Sequence, residues 1–411
     1  MDSNRQHRLL LVNQYYAPDV ASTGQYAAEI CESLAQRGFE IHVVTGQPSY
    51  TASSPDAPPF EARDGVYIYR VPLGHSRGRE RMRTRLAGYL RFLSGAWWQA
   101  RRLVRSLRFD MVMTFHNPPF VPLIGAYLAG RYQLPFVYVP YDIHPDVLIA
   151  TGWRLPGPVV WLWEALNRWI FSRAEAVVVL GEGMKHTLTK GKGVPLEKVR
   201  VIPIWGRPEL EPVPRLQSVR RELGIGKDEL LLLYAGNMGI MHPLDPILDA
   251  AAMLQGAPVR FLFVGDGAKR ERLTRRVERE GLRQVDFLPF QPEERFVQLV
   301  AAADACVVVL EPGLEWLAVP SRTFTFLSAG RPLITLMAPE ADVARLVTET
   351  ECGWNVTNGR ELAELIRVLL EDRQELLRRG KRAGEVYDRR FRRERVIRAY
   401  AGVLEAVLRC R

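Results

Sequence analysis

The sequence has few of the features that mark membrane-spanning, secreted or zinc-binding proteins. No stretch approaches the roughly 18 uncharged apolar residues that a transmembrane helix needs. The apolar run Leu9–Val12 is shorter than the core of a signal peptide, so it predicts a first β-strand. The cysteines (Cys31, Cys306, Cys352, Cys410) form no CxxC pair, which argues against a zinc site and disulfides. We expect a cytoplasmic protein with reduced cysteines, or one that lies on the cytoplasmic face of a membrane.

Candidate ligands for metal ions are also scarce. The seven histidines are dispersed, and no DxD-like pair of carboxylates follows an obvious strand. We therefore expect neither a metal site nor a resident cofactor.

Acidic residues are nearly absent from one segment. Between Arg77 and Arg108 the chain has ten arginines and a single acid, Glu80, so this segment carries almost all of the formal net charge of +10. Such a block favours an anionic surface, either nucleic acid or acidic lipid. Because no stacking motif or recognition fold for nucleic acid accompanies it, we expect a lipid surface and no nucleic acid.

The 411 residues exceed one ordinary core and predict two domains. Short apolar runs rich in β-branched residues alternate with helical periods such as Gln25–Arg37 and Lys269–Glu280. This alternation predicts an α/β fold with parallel sheets covered on both faces. The proline-rich segment Pro203–Pro214 lies between the halves and is typical of a linker. The predicted strands are Leu9–Val12, Glu40–Thr45, Met111–Phe115, Phe136–Val139, Ala176–Leu180, Val199–Ile202, Leu230–Tyr234, Val259–Val264, Ala305–Leu310, Leu333–Leu336 and Gly353–Val356.

Two glycine turns follow predicted strands in the second half, where ligands of open α/β sheets bind. The turn Gly236–Gly239 includes Asn237, and its glycines let backbone amides approach an anion. It matches the GxGxxG pattern poorly, so we expect no nicotinamide cofactor. The second turn, Gly265-Asp266-Gly267, precedes Lys269. Here Asp266 is predicted either to cap the next helix or to line a ligand site in which Lys269 lies close to phosphates.

A third candidate segment begins at Ser321, which we expect to cap a helix that starts with Arg322. An arginine at a helix start opposes the helix dipole, at a cost of about a few tenths of a kcal/mol. This position favours a bound anion over a purely structural role for Arg322.

Read in order, these segments resemble the retaining glycosyltransferases of family 4, which have the GT-B fold. The resemblance covers almost the whole chain and is nearest to transferases of exopolysaccharide, capsule and O-antigen assembly. The matching segments are NQYYAPDVASTGQYAAEICESLAQRGFEIHVVTG, YDIHPD, VVVLGEGMKHTLTKGKGVPLEKVRVIP, YAGNMGIMHPLDPILDAAAML, FLFVGDGAKRERL, VDFLPFQPEERFVQLVAAADACVV and PSRTFTFLSAGRPLI.

The resemblance implies two Rossmann-like domains that face each other across a cleft. It places an acceptor-binding domain at 1–206, a donor-binding domain at 207–390 and a C-terminal helix at 391–411 that packs on the first domain. It implies transfer of a hexosyl group from a nucleotide sugar, with UDP favoured, to a saccharide or lipid-linked acceptor, with retention of configuration and without a metal ion. The implied donor-binding residues are Gly236, Asn237, Gly239, Gly265, Asp266, Gly267, Lys269, Phe290, Ser321, Arg322 and Thr325, and Thr23 and Gly24 belong to an acceptor-side loop.

The sequence departs from the family pattern at the donor site. Ile240, His242 and Pro243 stand where a basic residue and then a glycine usually follow the first donor turn. Leu317 and Thr325 replace two glutamates, eight positions apart, that hold the donor.

Other residues of the chain can compensate for these losses. Glu315 is close enough in sequence to substitute for the first glutamate, and Arg322 retains the basic residue of the PSK-like motif. Our hypothesis is that Arg322 and Lys269 together stabilise the diphosphate, because arginine can bind phosphate through two hydrogen bonds.

Catalytic residues are expected in Tyr141-Asp-Ile-His-Pro145, after an apolar strand. Asp142 occupies the place of a catalytic His or Asp of the family, and His144 is its neighbour. A carboxylate there can stabilise developing positive charge or orient the acceptor hydroxyl. The alternative is that Asp142 only caps a turn. The segment His116–Pro119 is predicted to be a loop that shapes the cleft.

Residues 81–107 predict a basic amphipathic helix at a membrane interface, and the tryptophan-rich stretch Trp153–Trp169 resembles it in character. The alternative is a core-facing helix with a solvated basic face. The expected apolar face consists of Leu86, Tyr89, Leu90, Leu93, Trp97 and Val104, and the expected membrane contacts are Arg85, Tyr89, Trp97, Trp98 and Arg101.

Two alternative functions stay open on the sequence alone. One is a GT-B enzyme that transfers no sugar to an acceptor, such as a sugar-nucleotide epimerase. The other is a catalytically silent partner subunit that only binds a sugar nucleotide.

Overall fold

A computed structural model describes residues 6–50, 54, 56–73, 82–212, 214–239 and 241–409, with the side chains of 82–85 left out. Several positions considered above therefore lie outside the described residues: Arg77, Arg79, Arg81, Ile240, Cys410 and the side chains of Arg83 and Arg85.

The described chain divides into two compact units. The first unit contains the residues up to Ile149, Trp153–Ile202 and the residues from Ile397 onward. The second unit contains Ala150–Gly152 and Pro203–Val396.

The first unit is built on a twisted sheet that is parallel except for one edge strand. Its strand order is β3-β4-β2-β1-β5-β6-β7-β8, and only β3 runs antiparallel to its neighbour. The strands are β1 (Arg8–Val12), β2 (Glu40–Gly46), β3 (Phe60–Arg63), β4 (Val66–Val71), β5 (Met111–Phe115), β6 (Phe136–Val139), β7 (Ala176–Val179) and β8 (Val199–Val201). The helices are α1 (Ser22–Ala35), α2 (Met82–Ser106), α3 (Pro122–Tyr132), α4 (Asp146–Ala150), α5 (Gly157–Arg173) and α6 (Glu182–His186), followed by a π-helix at Thr187–Gly191 and a 3-10 turn at Leu196–Lys198.

The second unit has a parallel sheet with the order β11-β10-β9-β12-β13-β14. Its strands are β9 (Leu230–Ala235), β10 (Val259–Val264), β11 (Val285–Leu288), β12 (Ala305–Val309), β13 (Leu333–Leu336) and β14 (Gly353–Val356). The remaining helices are α7 (Gln217–Glu222), α8 (Asp245–Met253), α9 (Arg270–Glu280), α10 (Glu293–Ala302), α11 (Arg322–Ser328), α12 (Asp342–Thr350), α13 (Gly359–Glu371), α14 (Arg373–Arg390) and α15 (Arg393–Arg409).

The central strands are buried along their whole length. Every residue of β5, β6, β9 and β12 is buried, as expected for a parallel sheet with helices on both faces. The two Rossmann-like parallel sheets confirm the predicted α/β class. In the first unit, Tyr400 of α15 is also fully buried, and it lies beside Tyr141.

Strands β3, β4 and β11 were missed from the sequence. Strands β3 and β4 form a hairpin around Asp64 and Gly65, both of which have positive φ. Asp-Gly is a favoured sequence for such a two-residue turn, so the signal was present. Strand β11 is a short, half-buried edge strand, and its sequence VDFL lacks the continuous apolar pattern of a central strand.

The proline-rich segment is packed and does not behave as a loose linker. Trp205 is 1% exposed, and the amide of Gly206 donates to Tyr387 Oη at 3.2 Å. The amide of Leu210 donates to Ser328 Oγ at 3.2 Å. These contacts anchor the described part of Pro203–Pro214 within the second unit.

Helix α2 has one buried face and one exposed face. Its fully buried side chains are Phe92, Ala96 and Ala100, spaced four residues apart, whereas Leu86 and Leu90 of the expected apolar face are exposed. Among the described residues, no helix is long and apolar enough to cross a membrane.

Candidate functional site

Two glycine turns of the second unit interlock at the carboxyl edge of its sheet. The amide of Gly236 donates to Val264 O at 2.9 Å, and that of Met238 donates to Asp266 O at 2.8 Å. The amide of Lys269 returns to Met238 O at 2.9 Å. The structure therefore brings together the predicted residues Gly236, Asn237, Gly239, Gly265, Asp266, Gly267 and Lys269.

Glycine is required at the crossing of the two turns. A Cβ on Gly265 would lie 2.0 Å from Gly236 O, and one on Gly267 would lie 2.5 Å from Met238 O. Both glycines also have positive φ, at 139° and 157°, where other residues are strained. The two glycines are therefore needed for the close packing of one turn against the other.

The side chain of Lys269, which follows the second glycine turn, reaches the segment just after the first glycine turn. Its Nζ donates to His242 O at 2.8 Å and lies 3.7 Å from Glu311 Oε2. It thus brings a positive charge to the stretch where the sequence lacks the family's basic residue. Asp266 does not cap helix α9, since the helix begins at Arg270 and Asp266 Oδ1 accepts from the amide of Gly267.

His242 is the neutral member of this cluster. Burial, together with the charge of Lys269, lowers its pKa to about 4. Its Nδ1 is buried and has no hydrogen-bond partner among the described residues. Glu311 Oε2 is likewise buried and without a hydrogen-bond partner among the described residues. Sequence reasoning missed this residue, although it lies two positions after the end of strand β12. Both atoms can accept a hydrogen bond from a bound molecule.

Arg322 begins helix α11, as predicted, with Ser321 at the N-cap position but without a side-chain capping bond. Its guanidinium lies over the ring of Phe296, with Cζ 4.6 Å from the ring centroid, and its charge acts on Tyr234 at the end of β9. Phe290 follows β11, the strand beside β10, and is 56% exposed. An exposed aromatic ring at this edge can stack on a planar base.

Three further positions considered for the donor site have the following surroundings. Thr325 is buried, and its hydroxyl is occupied by the backbone of Arg207, from whose amide it accepts at 2.8 Å and to whose carbonyl it donates at 3.0 Å. This hydroxyl therefore holds the chain at residue 207. Leu317 is buried, and Glu315 accepts from the amide of Gly313 at 3.0 Å.

A second cluster lies in the first unit, at the carboxyl ends of β5 and β6. His116 Nε2 and Asp142 Oδ2 are 3.0 Å apart, and the amide of Tyr141 donates to His116 Nδ1 at 3.2 Å. Because Nδ1 accepts, Nε2 must carry the proton and donate it to the carboxylate. His116 is 2% exposed, so the expected cleft-shaping loop in fact contains the partner of Asp142.

Asp142 remains ionised in this setting. Burial raises the pKa of its carboxyl. The hydrogen bond from His116 and the electrostatic influence of His116 and His144 act in the opposite direction and are stronger, so the pKa lies below its ordinary value. Burial lowers the pKa of His144 to about 4, against the opposite influence of Asp142 and Asp146. A fixed carboxylate thus stands beside a neutral imidazole whose Nδ1 is buried and has no partner among the described atoms.

The expected acceptor-side residues belong to a helix. Helix α1 begins at Ser22, three residues before the predicted start, so Thr23 and Gly24 lie in its first turn. A Cβ on Gly24 would lie 2.9 Å from the backbone of Tyr15. Asn117 Nδ2 donates to Thr23 Oγ1 at 3.2 Å, which ties this turn to the segment that carries His116.

The chain matches two protein-family models in succession. Residues 23–205 match the model described as a glycosyl transferase 4-like domain, and residues 217–386 match the one described as glycosyl transferases group 1. The putative colanic acid biosynthesis glycosyl transferase WcaI of Escherichia coli strain K12 is 23% identical over 416 residues, covering 96% of this chain and 98% of WcaI.

Solved structures of similar architecture cover nearly the whole chain. Sucrose-phosphate synthase from Thermosynechococcus elongatus has a TM-score of 0.76 at 18% identity, covering 99% of this chain and 100% of that protein. HepE from Anabaena, solved in complex with UDP and glucose, has a TM-score of 0.71 at 17% identity, covering 98% of this chain and 100% of HepE. These two likenesses establish the fold.

Proposed function

The chain belongs to the glycosyltransferases of family 4, which have the GT-B fold, and we propose that it moves a hexosyl group from a UDP-sugar to a saccharide acceptor with retention of configuration. HepE binds UDP, and WcaI is described as acting in colanic acid biosynthesis. Both support a nucleotide-sugar donor and a role in polysaccharide assembly for this chain.

The observation that carries this proposal is the cluster around the interlocked glycine turns. Gly236, Gly265 and Gly267 belong to two turns that pack closely on each other, and Lys269 brings positive charge to them. Arg322 lies at the same sheet edge, near Tyr234. Backbone amides of glycine turns together with cationic side chains suit a diphosphate. Phe290 is proposed to contact the base.

The reaction breaks the bond between the anomeric carbon and the β-phosphate oxygen. The acceptor hydroxyl forms the new bond to that carbon and passes its proton to the departing diphosphate. Negative charge then develops on the departing diphosphate. Arg322 and Lys269 are proposed to stabilise that charge, which lowers the barrier for departure. No metal ion is invoked in this proposal.

Asp142 is the proposed catalytic carboxylate of the first unit. It can stabilise positive charge that develops at the anomeric carbon, or orient the acceptor hydroxyl. His116 is proposed as a positioning residue, because it holds one carboxylate oxygen by a hydrogen bond. His144 is proposed to hydrogen-bond to the acceptor through its unpartnered Nδ1.

The proposal includes binding to an anionic membrane surface. The protein would lie peripherally on the cytoplasmic face of the membrane, and its acceptor would be linked to a lipid. On α2, the side chains of Leu90 and Trp98 are exposed beside the exposed Arg91, Arg102 and Arg105. Each basic residue near an anionic leaflet contributes about 1 kcal/mol. Of the other predicted contacts, Tyr89, Trp97 and Arg101 are half-buried.

Donor binding and turnover test the proposal directly. We expect UDP-glucose or another UDP-sugar to raise the melting temperature, and UDP release to require an added saccharide acceptor and to persist in EDTA. Arg322→Ala and Lys269→Ala should each weaken UDP binding at least about tenfold, the scale of one lost charge-assisted hydrogen bond. The matched control is Lys381→Ala, which removes an exposed lysine of α14.

Several outcomes would contradict the proposal. Full affinity and activity in Arg322→Ala would remove Arg322 from the donor site. UDP release that is independent of any acceptor would favour an epimerase-like reaction, and UDP binding without turnover would favour a silent binding subunit. Inversion at the anomeric carbon of the product, read by NMR, would overturn retention.

A further inference from the structure

Helix α5 has an outer face that is apolar and largely uncovered. Trp161 is 67% exposed and Leu162 is 54% exposed, and Val159, Trp169 and the preceding Trp153 are exposed as well. Only Ile170 and Phe171, near the end of the helix, are buried. An apolar patch of this kind marks an interaction surface.

The opposite face of α5 holds the segment that contains the proposed catalytic residues. Asn167 Nδ2 donates to His144 O at 2.8 Å. The ring of Trp163 lies against that of His144, with centroids 6.1 Å apart and planes within 30°. Glu164 shares Lys192 with Asp146, and both carboxylates lie 2.7 Å from Lys192 Nζ. We call residues 142–146 the histidine loop.

The charged residues around α5 indicate which kind of partner its apolar outer face binds. Arg154, Arg168 and Arg173 are exposed on and next to α5, whereas the one acid of the helix, Glu164, is paired with Lys192. Helix α3 packs between α5 and the basic helix α2, as contacts of Tyr127 with Trp97 and of Gly130 with Arg173 show. Exposed indoles beside three exposed arginines, with Glu175 as the exposed acid just after the helix, fit the interface of an anionic lipid bilayer.

We infer that α5 transmits membrane binding to the catalytic loop. The outer face inserts into an anionic lipid surface, and Trp163, Glu164 and Asn167 on the inner face then fix the histidine loop, so that Asp142 and His144 are ordered when the protein is on a membrane. The catalytic consequence of ordering the histidine loop rests on the proposed function. The coupling between lipid binding and the order of this loop depends only on α5.

The first measurement is binding to vesicles of phosphatidylglycerol, with phosphatidylcholine vesicles as the comparison. We expect the full chain to sediment with the anionic vesicles only. The double variant Trp161→Ser/Leu162→Ser should lose at least about tenfold in vesicle affinity, since two large apolar side chains no longer leave water. The control Leu377→Ser changes an exposed leucine of α14 in the second unit and should bind as the parent does.

The second measurement is amide hydrogen exchange of residues 142–147 with and without phosphatidylglycerol vesicles. We expect exchange to slow on vesicles in the parent. In Asn167→Ala it should stay unchanged although the variant still sediments. Equal exchange in the parent with and without vesicles, or equal slowing in Asn167→Ala, would overturn the coupling.

UDP release from UDP-glucose separates this inference from the proposed function. If both hold, vesicles raise the rate severalfold in the parent, and Trp161→Ser/Leu162→Ser keeps the vesicle-free rate but loses the increase. If exchange slows as expected and no UDP appears with any acceptor, the proposed function fails and the coupling stands. If the outer-face variant turns a dimer into a monomer and the parent ignores vesicles, a second copy of the chain covers this face and the lipid inference is wrong.

Discussion

The contact between His116 and Asp142 is the residue-level feature that most changes the view of the first unit. Asp142 was predicted as catalytic, whereas His116 was expected only to shape a cleft. A signal was available, because His116 follows β5 and Asp142 lies just beyond the neighbouring parallel strand β6. What the sequence could not supply was the ring orientation, which depends on the amide of Tyr141 donating to Nδ1.

Removing the His116 ring should therefore affect the pH dependence as well as the rate. In His116→Phe we expect UDP release to fall about tenfold or more, the scale for misplacing a catalytic group. Burial raises the pKa of Asp142 and the His116 hydrogen bond lowers it, so the acid limb of the pH–rate profile should move to higher pH when that bond is lost.

Two matched variants accompany that test. Asp142→Asn should abolish the acid limb together with most of the rate, and Glu182→Gln is the control. Glu182 has an exposed carboxylate on α6, and its replacement should change neither. A loss of rate in His116→Phe with an unshifted acid limb would mean that His116 acts only on folding.

At the level of elements, the buried strands were the most predictable part of the fold. Strands β5, β6 and β13 have the predicted bounds, because burial on both faces demands an unbroken apolar run. Strands β10 and β14 also have the predicted bounds, although β10 contains Arg260 and β14 is a half-buried edge strand. Edge strands have no such demand, and β3 and β11 were missed for that reason.

The buried face of α2 is a feature that the sequence pattern did not identify. The large apolar residues were expected to face a membrane, and the helix packs closely on β4 through small residues. A Cβ on Gly95 would lie 2.2 Å from Val71 Cγ1, and Ala96 and Ala100 are fully buried on the same side. Small residues thus mark the closest approach of this helix to its sheet, and they carry little weight in a hydrophobicity pattern.

Two substitutions on α2 distinguish the buried face from the exposed one. Phe92→Ala should destabilise the first unit by about 3–5 kcal/mol, because Phe92 is fully buried. Trp98→Ser should change stability by less than about 0.5 kcal/mol, since Trp98 is 77% exposed. Urea unfolding followed by circular dichroism measures both. A larger loss for Trp98→Ser than for Phe92→Ala would reverse the assignment.

For the whole molecule, the division into two α/β halves followed from length and pattern, and the two interlocked turns followed from glycines after strands. The structural roles of Thr325 and Pro203–Pro214 could not be predicted in this way, because both depend on contacts between segments that are distant in sequence. The hydroxyl of Thr325 is satisfied by Arg207, which lies 118 residues away along the chain.

Partly buried neutral histidines in both units predict how stability depends on pH. The pKa values of His144 and His242 lie near 4 in the folded protein, below their ordinary value of 6.5. The unfolded chain therefore takes up protons below about pH 6.5 while the folded chain does not, and stability falls as pH drops towards 4. Each histidine should contribute a loss of up to about 3 kcal/mol over that window.

Denaturant unfolding between pH 7 and pH 4.5 measures this effect. The variant His144→Gln/His242→Gln should show a clearly smaller decline in the free energy of unfolding than the parent. His42, whose pKa burial also lowers, stays in both proteins and cancels in the comparison. An equal decline in the two proteins would show that these histidines are accessible to protons in the folded state.

The placement of the tryptophans also has a spectroscopic consequence. Six of the nine lie on α2, on α5 or just before α5, and the other three belong to the second unit. Trp98, Trp153, Trp161 and Trp169 are exposed to water, so their fluorescence should be red-shifted and open to quenching by iodide. Any event that covers α2 and α5 would shift this emission to shorter wavelengths, which makes the unlabelled protein an optical reporter of its own helical surface.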